Sequence, residues 1–215
     1  MVALHSSARA ITSSPSERCR RWPGLSLNMS KTPSNIILIG MPGSGKSTIG
    51  PLLAENLSLA FLDTDEALQA AQKRPLQDIM NTDGHAAFRR IEEEVLLSLN
   101  LRDHVIATGG SAIYSEPGIT HLKTDGLAVF LDADLATLES RIDNFSTRGL
   151  VKHPEQTFAQ LFAERLPLYR KHADITVNCA GLKPEEVCAG ILDKVRFIFS
   201  ARRCAGDLLR TDRTA

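Results

Sequence analysis

Short apolar runs alternate with longer stretches of helical periodicity along most of this chain. Five apolar runs predict β-strands, at 35–39, 59–62, 105–107, 127–131 and 175–177. The stretches between and after them predict helices at 46–56, 65–81, 84–100, 134–143, 156–172 and 184–200. Strands that alternate with helices through right-handed crossovers predict an α/β fold, in which helices cover both faces of a parallel sheet. Ligands in such folds bind at the carboxyl ends of the strands.

Both ends of the chain lack this pattern. Residues 1–33 are rich in Ser, Arg and Pro and contain one acidic residue, Glu17, which predicts a disordered leader. Its composition resembles an organellar transit peptide. The alternative is a misassigned start, because Met29 stands just before the first strand. A polar, disordered tail is predicted over 201–215, which leaves one domain over 34–200.

Charge and composition exclude several classes of partner. Lys and Arg together number 25, as do Asp and Glu, so the basic excess typical of nucleic-acid or membrane-surface binding is missing. No apolar run approaches the ~18 residues of a membrane span. The four cysteines form no CxxC pair, which favours free thiols in a reducing cytosol. We therefore expect a cytoplasmic monomer, with organellar import through the leader as the lesser alternative.

The sequence GMPGSGKST, from Gly40 to Thr48, matches the P-loop pattern in full. It follows an apolar strand and opens a helix, as that motif requires. The glycines let backbone N–H groups surround phosphate oxygens at the positive end of the helix. Lys46 is expected to reach the β- and γ-phosphates of a nucleoside triphosphate, and Ser47 to ligate Mg²⁺.

Two carboxylates, Asp63 and Asp65, directly follow the second predicted strand. In an extended segment residues two apart face the same way, so both are expected to point into the cleft. One would support magnesium through water, and the other would accept a proton from a substrate hydroxyl. The alternative is that Asp65 caps the next helix.

Other polar features are less specific. Arg89 suits bidentate binding of a carboxylate, or an i, i+4 pair with Glu93. The TGGS sequence at 108–111 permits close approach of a ligand to the backbone, or is a plain turn. The polar stretch 144–156, which contains Arg148, fits a lid that closes over phosphates, or a solvated loop. Arg165 precedes Pro167, which indicates a kink or a boundary in that helix.

Together these motifs resemble the shikimate kinase family, within the nucleoside-monophosphate-kinase-like P-loop fold. The resemblance runs from about residue 35 to 195 and rests on six segments: GMPGSGKST at 40–48, DTD at 63–65, FRRIE at 88–92, TGGS at 108–111, TRGL at 147–150 and RLPLY at 165–169. It implies a three-layer α/β/α fold with a five-stranded parallel sheet of order 2-3-1-4-5. It also implies ATP as donor, Mg²⁺ as cofactor and transfer to the 3-hydroxyl of shikimate, in the biosynthesis of aromatic amino acids.

The resemblance also implies roles for individual residues. Lys46, Asp65 and Arg148 would be catalytic, and Ser47 and Asp63 would hold the metal. Arg141 would pack against the adenine, with Pro184 on its other side. The nucleotide site would comprise Gly43, Ser44, Gly45, Lys46, Ser47, Thr48, Arg141, Arg148 and Pro184. The acceptor site would comprise Asp65, Arg89, Gly109, Gly110, Ser111 and Arg165.

Two positions depart from the family pattern. Ser111 stands where a third glycine is usual, so a positive φ there would cost about 1–3 kcal/mol of strain. Alternatively, its hydroxyl contacts the substrate. Gly149 replaces a proline in the lid sequence, which enlarges the ensemble of open lid conformations. Both departures concern the acceptor side or its closure and leave the nucleotide half intact.

Several alternative functions are compatible with a P-loop. One is a kinase for another small acceptor, such as gluconate, homoserine or a nucleotide. Another is a regulatory module that binds a nucleotide without catalysis, which would need neither the two aspartates nor the lid arginine. A P-loop motor or switch GTPase has only Asp132 as the acid that holds magnesium at a strand end, and the guanine-reading motif is absent.

Overall fold

The computed structural model describes residues 33–141 and 156–196. The predicted leader up to residue 32, the predicted lid up to residue 155 and the predicted tail lie outside these ranges, so those predictions stand as predictions. Among the described residues no helix is both long and apolar enough to cross a membrane.

One five-stranded sheet forms the centre of the molecule. Its strands are β1 (Asn35–Ile39), β2 (Ala60–Asp63), β3 (His104–Ala107), β4 (Gly126–Asp132) and β5 (Ile175–Asn178). They are parallel throughout and lie in the order β2-β3-β1-β4-β5. In the register Ile37 pairs with Ile106 on one side and with Ala128 on the other. The predicted sheet and its order are therefore confirmed.

Helices cover both faces of the sheet. The first four are α1 (Lys46–Leu57), α2 (Thr64–Gln72), α3 (Leu76–Ser98) and α4 (Glu116–Lys123). They are followed by α5 (Leu135–Arg141), α6 (Phe158–His172) and α7 (184–196). The central strand β1 is buried along its whole length because neighbours flank it on both edges and helices cover both faces. This arrangement agrees with the continuous apolar run in the sequence.

One predicted helix is wrong in detail. The predicted helix 65–81 ends early, because Lys73 adopts a left-handed conformation (φ 54°) and Pro75 becomes the N-cap of α3. The predicted boundary between 81 and 84 coincides with Gly84, whose non-helical backbone (φ 80°, ψ 169°) divides α3 at a kink. Pro167 lies inside α6, which continues through it to His172.

The sequence interpretation missed the connection between β3 and β4. It contains a short 3₁₀ helix, Ala112–Tyr114, followed directly by α4. The signals for α4 were present, since Ser115 caps the helix by accepting a hydrogen bond from Gly118 N, and Pro117 lies in its first turn. With only eight residues, α4 is too short for a clear periodic pattern.

A small second core lies apart from the main one, between α2 and α3. Its buried members are Leu68, Ile79, Met80 and Phe88. It packs α2 and the first half of α3 together at the carboxyl end of β2. This packing places the residues that follow β2 opposite those that follow β3.

Gly126 at the start of β4 provides a test of this packing. A Cβ there would lie 2.6 Å from Ile37 Cδ1 and 2.7 Å from the carbonyl oxygen of Leu122. We expect Gly126→Ala to lower the free energy of unfolding by about 1–3 kcal/mol, because backbone must move to admit the methyl group. Urea denaturation measures this change.

Gly190→Ala is the matched control. A Cβ at Gly190 would meet only Val177 Cγ1, at 3.9 Å, and the residue lies within helix α7. We expect this variant to be neutral or more stable by about 0.5–1 kcal/mol, because alanine favours the helix. Equal destabilisation by both substitutions would contradict the packing described for β4.

Candidate active site

A cavity of about 350 Å³ opens at the carboxyl ends of the strands. This is the edge where ligands bind in parallel sheets. Residues from the β1–α1 loop, the start of α2, α3, the loop after β3, α5 and α6 line it: Pro42, Gly43, Gly45, Lys46, Ser47, Thr48, Asp63, Asp65, Leu76, Phe88, Thr108, Gly110, Ser111, Arg141 and Arg165. Residues far apart in the sequence therefore face one space.

The P-loop turns sharply from β1 into α1. Gly43 and Gly45 have φ values of 82° and 98°, in the left-handed region that favours glycine. Lys46 Nζ donates hydrogen bonds to the carbonyl oxygens of Gly40 (2.7 Å) and Met41 (3.0 Å). Burial lowers the pKa of Lys46 to about 8, although the charges of Asp65 and Asp63 oppose this shift. The ammonium group is thus held at the mouth of the loop.

Asp63 joins the P-loop to the end of β2. Its Oδ2 accepts a hydrogen bond of 2.7 Å from Ser47 Oγ, and its Oδ1 accepts one of 2.9 Å from Asp65 N. Asp63 is therefore the N-cap of α2, and the alternative that Asp65 caps this helix is wrong. Asp63 and Asp65 do not share one face of an extended segment, as was predicted, because Asp65 lies in the first turn of α2. Both carboxylates nevertheless line the cavity.

The environment of Asp65 disfavours its charge. Burial raises the pKa of this carboxyl group to about 6, and the negative charge of Asp63 adds to the shift, whereas Lys46 opposes it. A carboxylate with this pKa is mostly ionised at neutral pH. It can therefore accept a proton from a group that approaches in the cavity.

The glycines after β3 allow a close approach of side chains to backbone. An added Cβ at Gly109 would lie 2.5 Å from both Asp65 Oδ1 and Glu92 Oε1. The Gly109 N–H donates to Thr64 Oγ1 at 2.9 Å, and the Tyr169 hydroxyl donates to the Gly110 carbonyl at 2.7 Å. The predicted glycine pair is thus fixed by α2 on one side and by α6 on the other.

Ser111 does not carry the backbone strain that a positive φ would impose. Its φ is −89°, a value that any residue adopts, so that expectation was wrong. The Ser111 side chain opposes the rise in the pKa of the Glu92 carboxyl group, an effect that a glycine at this position would lack. Ser111 also lines the cavity, which keeps open the expected contact with an acceptor.

Glu92 is a residue of this region that the sequence interpretation left without a role. It is 4% exposed, and its Oε1 has no hydrogen-bond partner in the described structure. Burial raises the pKa of Glu92 to about 7, and the negative charge of Asp65 adds to this rise. The Ser111 side chain and the positive charges of Arg165 and Arg89 oppose it. Its position three residues after Arg89, on the same face of α3, was the available signal.

The two candidate acceptor arginines occupy different positions. Arg165 is 1% exposed and lines the cavity directly. Arg89 lies beside the cavity, not in its lining, with Cζ 4.0 Å from the centroid of the Tyr114 ring. Its Nε is buried without a hydrogen-bond partner in the described structure. Glu93, the alternative partner of Arg89, accepts a hydrogen bond from Ser115 Oγ instead (2.5 Å).

A second cavity of about 190 Å³ adjoins the P-loop. Arg141 lines both cavities, and Pro184 lines the second together with Gly45 and Thr48. Arg141 Nη2 donates to the carbonyl oxygen of Cys179 at 3.4 Å. The structure therefore brings Arg141 and Pro184 together next to the P-loop. Arg148 lies outside the described residues.

In the described ranges, no group of three or more His, Cys, Asp or Glu side chains lies close enough to hold a metal by itself. The candidate metal residues are the hydrogen-bonded pair Ser47 and Asp63. A hydroxyl and a carboxylate beside a phosphate-binding loop suit a hard cation that keeps part of its water and takes phosphate oxygens as ligands.

Comparisons with known proteins agree with this geometry. The family model described as Shikimate kinase matches residues 42–196. A shikimate kinase of Mycobacterium avium (strain 104) is 40% identical over 162 residues, which span 74% of this chain and 92% of that protein.

Solved structures give the same result. The shikimate kinase from Acinetobacter baumannii in complex with shikimate aligns with a TM-score of 0.71 at 33% identity, over 77% of this chain and 93% of that one. The shikimate kinase from Aquifex aeolicus aligns with a TM-score of 0.66 at 37% identity, over 75% and 96%. The chain described here belongs to the shikimate kinase family.

Proposed function

We propose that this enzyme transfers the γ-phosphoryl group of ATP to the 3-hydroxyl of shikimate, giving shikimate 3-phosphate and ADP. The observation that carries the proposal is that one cavity holds a complete P-loop, the carboxylate of Asp65 and the buried Arg165. A donor phosphate and an acidic, hydroxylated acceptor would meet between them. The shikimate complex of a relative that is 33% identical supports the same acceptor.

The donor side is assigned to the P-loop and the second cavity. Backbone N–H groups from Gly43 to Thr48 would hold the phosphates at the N-terminus of α1. The Lys46 ammonium would exchange its contacts with loop carbonyls for the β- and γ-phosphate oxygens. Arg141 and Pro184 would enclose the adenine, since both line the adjoining cavity.

Ser47 and Asp63 fit a magnesium ion. Their oxygens already lie 2.7 Å apart beside the P-loop, and both are the oxygen ligands that this cation prefers. When bound, the ion would neutralise charge on the phosphates. Asp63 would then support it through water, and Ser47 would bind it directly.

The acceptor side is assigned to Asp65, Arg89, Arg165 and the backbone from Gly109 to Ser111. A guanidinium group binds a carboxylate through two parallel hydrogen bonds. Arg165 offers such a group inside the cavity, and the unpartnered Nε of Arg89 offers a further donor beside it. The acceptor carboxylate would lie at this end, with its ring hydroxyls toward Asp65.

The transfer itself needs little covalent participation by the protein. The acceptor oxygen would form a bond to the γ-phosphorus while the bond to the bridging oxygen of ADP breaks. Asp65 would receive the hydroxyl proton, and Lys46 would stabilise the negative charge on the phosphoryl oxygens. Arg148 is proposed to add a second positive charge there. Catalysis would thus consist mainly of positioning and charge neutralisation.

We further propose, from composition and charge balance alone, that the enzyme acts in the cytoplasm as a monomer without nucleic-acid or membrane partners. The predicted leader and tail would take no part in the reaction.

The acceptor can be tested by ADP release from the purified chain. We expect shikimate to stimulate release strongly, and gluconate, homoserine and the no-acceptor control to give only background. The methyl ester of shikimate is the matched control for charge, and we expect its KM to be at least about tenfold higher because it cannot form the charged pair with the arginines. Release with gluconate or homoserine alone would indicate another acceptor, and release with none would favour a regulatory protein.

Asp65→Asn tests the proposed proton acceptor. The amide is nearly the same size but cannot take the hydroxyl proton. We expect kcat to fall by about 10²–10⁴-fold, while the KM for ATP changes by less than about threefold. Steady-state kinetics with both substrates measures the effect. A kcat within a factor of two of the wild-type value would exclude Asp65 from this role.

Glu92 adds a pH dependence to acceptor binding. Its carboxyl group shares a buried region with Asp65, Arg89, Arg165 and Ser111, and its pKa is raised to about 7. An acceptor carboxylate beside the same arginines would favour the protonated, neutral form of Glu92, because two negative charges would otherwise compete for them. Binding of the acceptor is therefore expected to be accompanied by uptake of a proton by Glu92.

We expect the KM for shikimate to be lowest below pH 7 and to rise above it, by at most about tenfold per pH unit. In Glu92→Gln, which is permanently neutral, this rise should disappear. Glu94→Gln on the same helix serves as the control and should keep the wild-type profile. An unchanged KM profile in Glu92→Gln would show that Glu92 does not titrate with acceptor binding.

A further inference from the structure

Tyr114 lies against both arginines that are assigned to the acceptor carboxylate. The Cζ atom of Arg89 is 4.0 Å from the centroid of its ring, and that of Arg165 is 5.1 Å from the same centroid. Both distances are within the range of about 6 Å in which the negative face of an aromatic ring attracts a cation. One ring therefore interacts with two guanidinium groups from different helices.

The hydroxyl group of Tyr114 makes a second connection to this pair. It accepts a hydrogen bond from Arg165 Nε (3.2 Å) and donates one to Glu164 Oε1 (2.6 Å). Glu164 Oε2 in turn accepts a hydrogen bond from Gln156 Nε2 (2.6 Å). Donor and acceptor capacity of the hydroxyl are both in use, which fixes the rotation of the phenol and the plane of the Arg165 guanidinium.

The backbone that carries Tyr114 is also fixed. Tyr114 ends the 3₁₀ helix that follows Ser111, and the next residue, Ser115, donates a hydrogen bond to Glu93 on α3. On its other side the Tyr114 hydroxyl reaches α6 through Glu164. The ring is thus held between the helix that carries Arg89 and the helix that carries Arg165.

This arrangement addresses a specific physical difficulty. Two guanidinium groups that point toward one ligand repel each other, and a planar fork binds a carboxylate well only in the correct orientation. The Tyr114 ring attracts both guanidinium groups, and its hydroxyl aligns that of Arg165. Tyr114 lies outside the six motifs on which the family resemblance rests, so motif reading did not assign it a role.

We propose that Tyr114 is a positioning residue that holds the guanidinium groups of Arg89 and Arg165 in the orientation that binds the acceptor carboxylate. The proposal rests on the proposed function, since it presumes an acidic acceptor. It assigns specificity for the carboxylate to the contact of one aromatic ring with two arginines, and not to the arginines alone.

Two variants separate the ring from the hydroxyl. Tyr114→Leu removes both, and we expect the KM for shikimate to rise about tenfold with kcat within about threefold of wild type and the KM for ATP unchanged. Tyr114→Phe keeps the ring, and we expect a rise of only about threefold from the lost hydrogen bonds. Glu116→Gln is the control, because Glu116 pairs with Lys171 and His172 on α6 without contact to either arginine. It should leave all three constants unchanged.

A second measurement compares kcat/KM for shikimate with kcat/KM for its methyl ester. A general loss of structure would lower both values and leave their ratio unchanged. We expect this ratio to fall about tenfold in Tyr114→Leu, because the uncharged ester gains little from oriented arginines. If the wild-type enzyme is active with shikimate and Tyr114→Leu changes neither this ratio nor the KM for shikimate, the proposed role of Tyr114 is overturned and the proposed function is not. A parallel loss for acid, ester and ATP would also overturn it, in favour of a structural role. A wild-type enzyme without shikimate-dependent activity would overturn the proposed function, and the role of Tyr114 with it.

Discussion

Side chains of both charges are gathered in and beside the cavity with little access to water. Lys46 of α1, Arg165 of α6 and Glu92 of α3 are buried, and Asp65 of α2 is partly buried. Lys46 and Arg165 carry basic groups, whereas Asp65 and Glu92 carry acidic groups. Isolated charges at such depth would cost several kcal/mol each, so each sign requires the other. Gly109 makes this possible, because a side chain there would occupy the space of two carboxylate oxygens. Much of the surrounding architecture serves to bring these groups around one glycine.

The elements that surround Gly109 follow from this constraint. Thr64 Oγ1, at the start of α2, accepts a hydrogen bond from Gly109 N, and the Tyr169 hydroxyl on α6 donates one to the carbonyl oxygen of Gly110. The Tyr169 ring stacks on Phe130 of β4, with 5.2 Å between the ring centroids. The loop at Gly110 is thereby linked through Tyr169 to the hydrophobic core. The sheet order places β1 between β3 and β4, so the P-loop after β1 borders the loop after β3 on one side and the second cavity at α5 on the other. The P-loop is therefore an element that the two cavities share.

The sequence alone was sufficient for the sheet and for the P-loop because both depend on local pattern. Five apolar runs and one complete motif specify strands and a turn whose backbone hardly varies. The break between α2 and α3 at Lys73 to Pro75 was missed, whereas the boundary predicted near 84 coincides with the kink at Gly84. Tyr114 could not be assigned from pattern, and Glu92 offered only its spacing from Arg89, because their surroundings come from α2, α3 and α6 together. Ser111 shows the converse case, in which a suspected strain vanished once its φ was known.

The proposed donor and acceptor sides depend on different kinds of group. Phosphate binding by the P-loop relies on backbone N–H groups, and a change of side chain cannot supply or replace these. The proposed carboxylate binding would rely on the orientation of two long side chains, which many neighbours can provide. In this chain Ser111 lowers the raised pKa of Glu92 and Tyr114 contacts both arginines, so the proposed acceptor pocket has polar and aromatic interactions beyond the shared motifs. Because these interactions involve the arginines and Glu92 and not the groups proposed to react, a change in them would be expected to alter affinity for the proposed carboxylate without altering phosphoryl transfer.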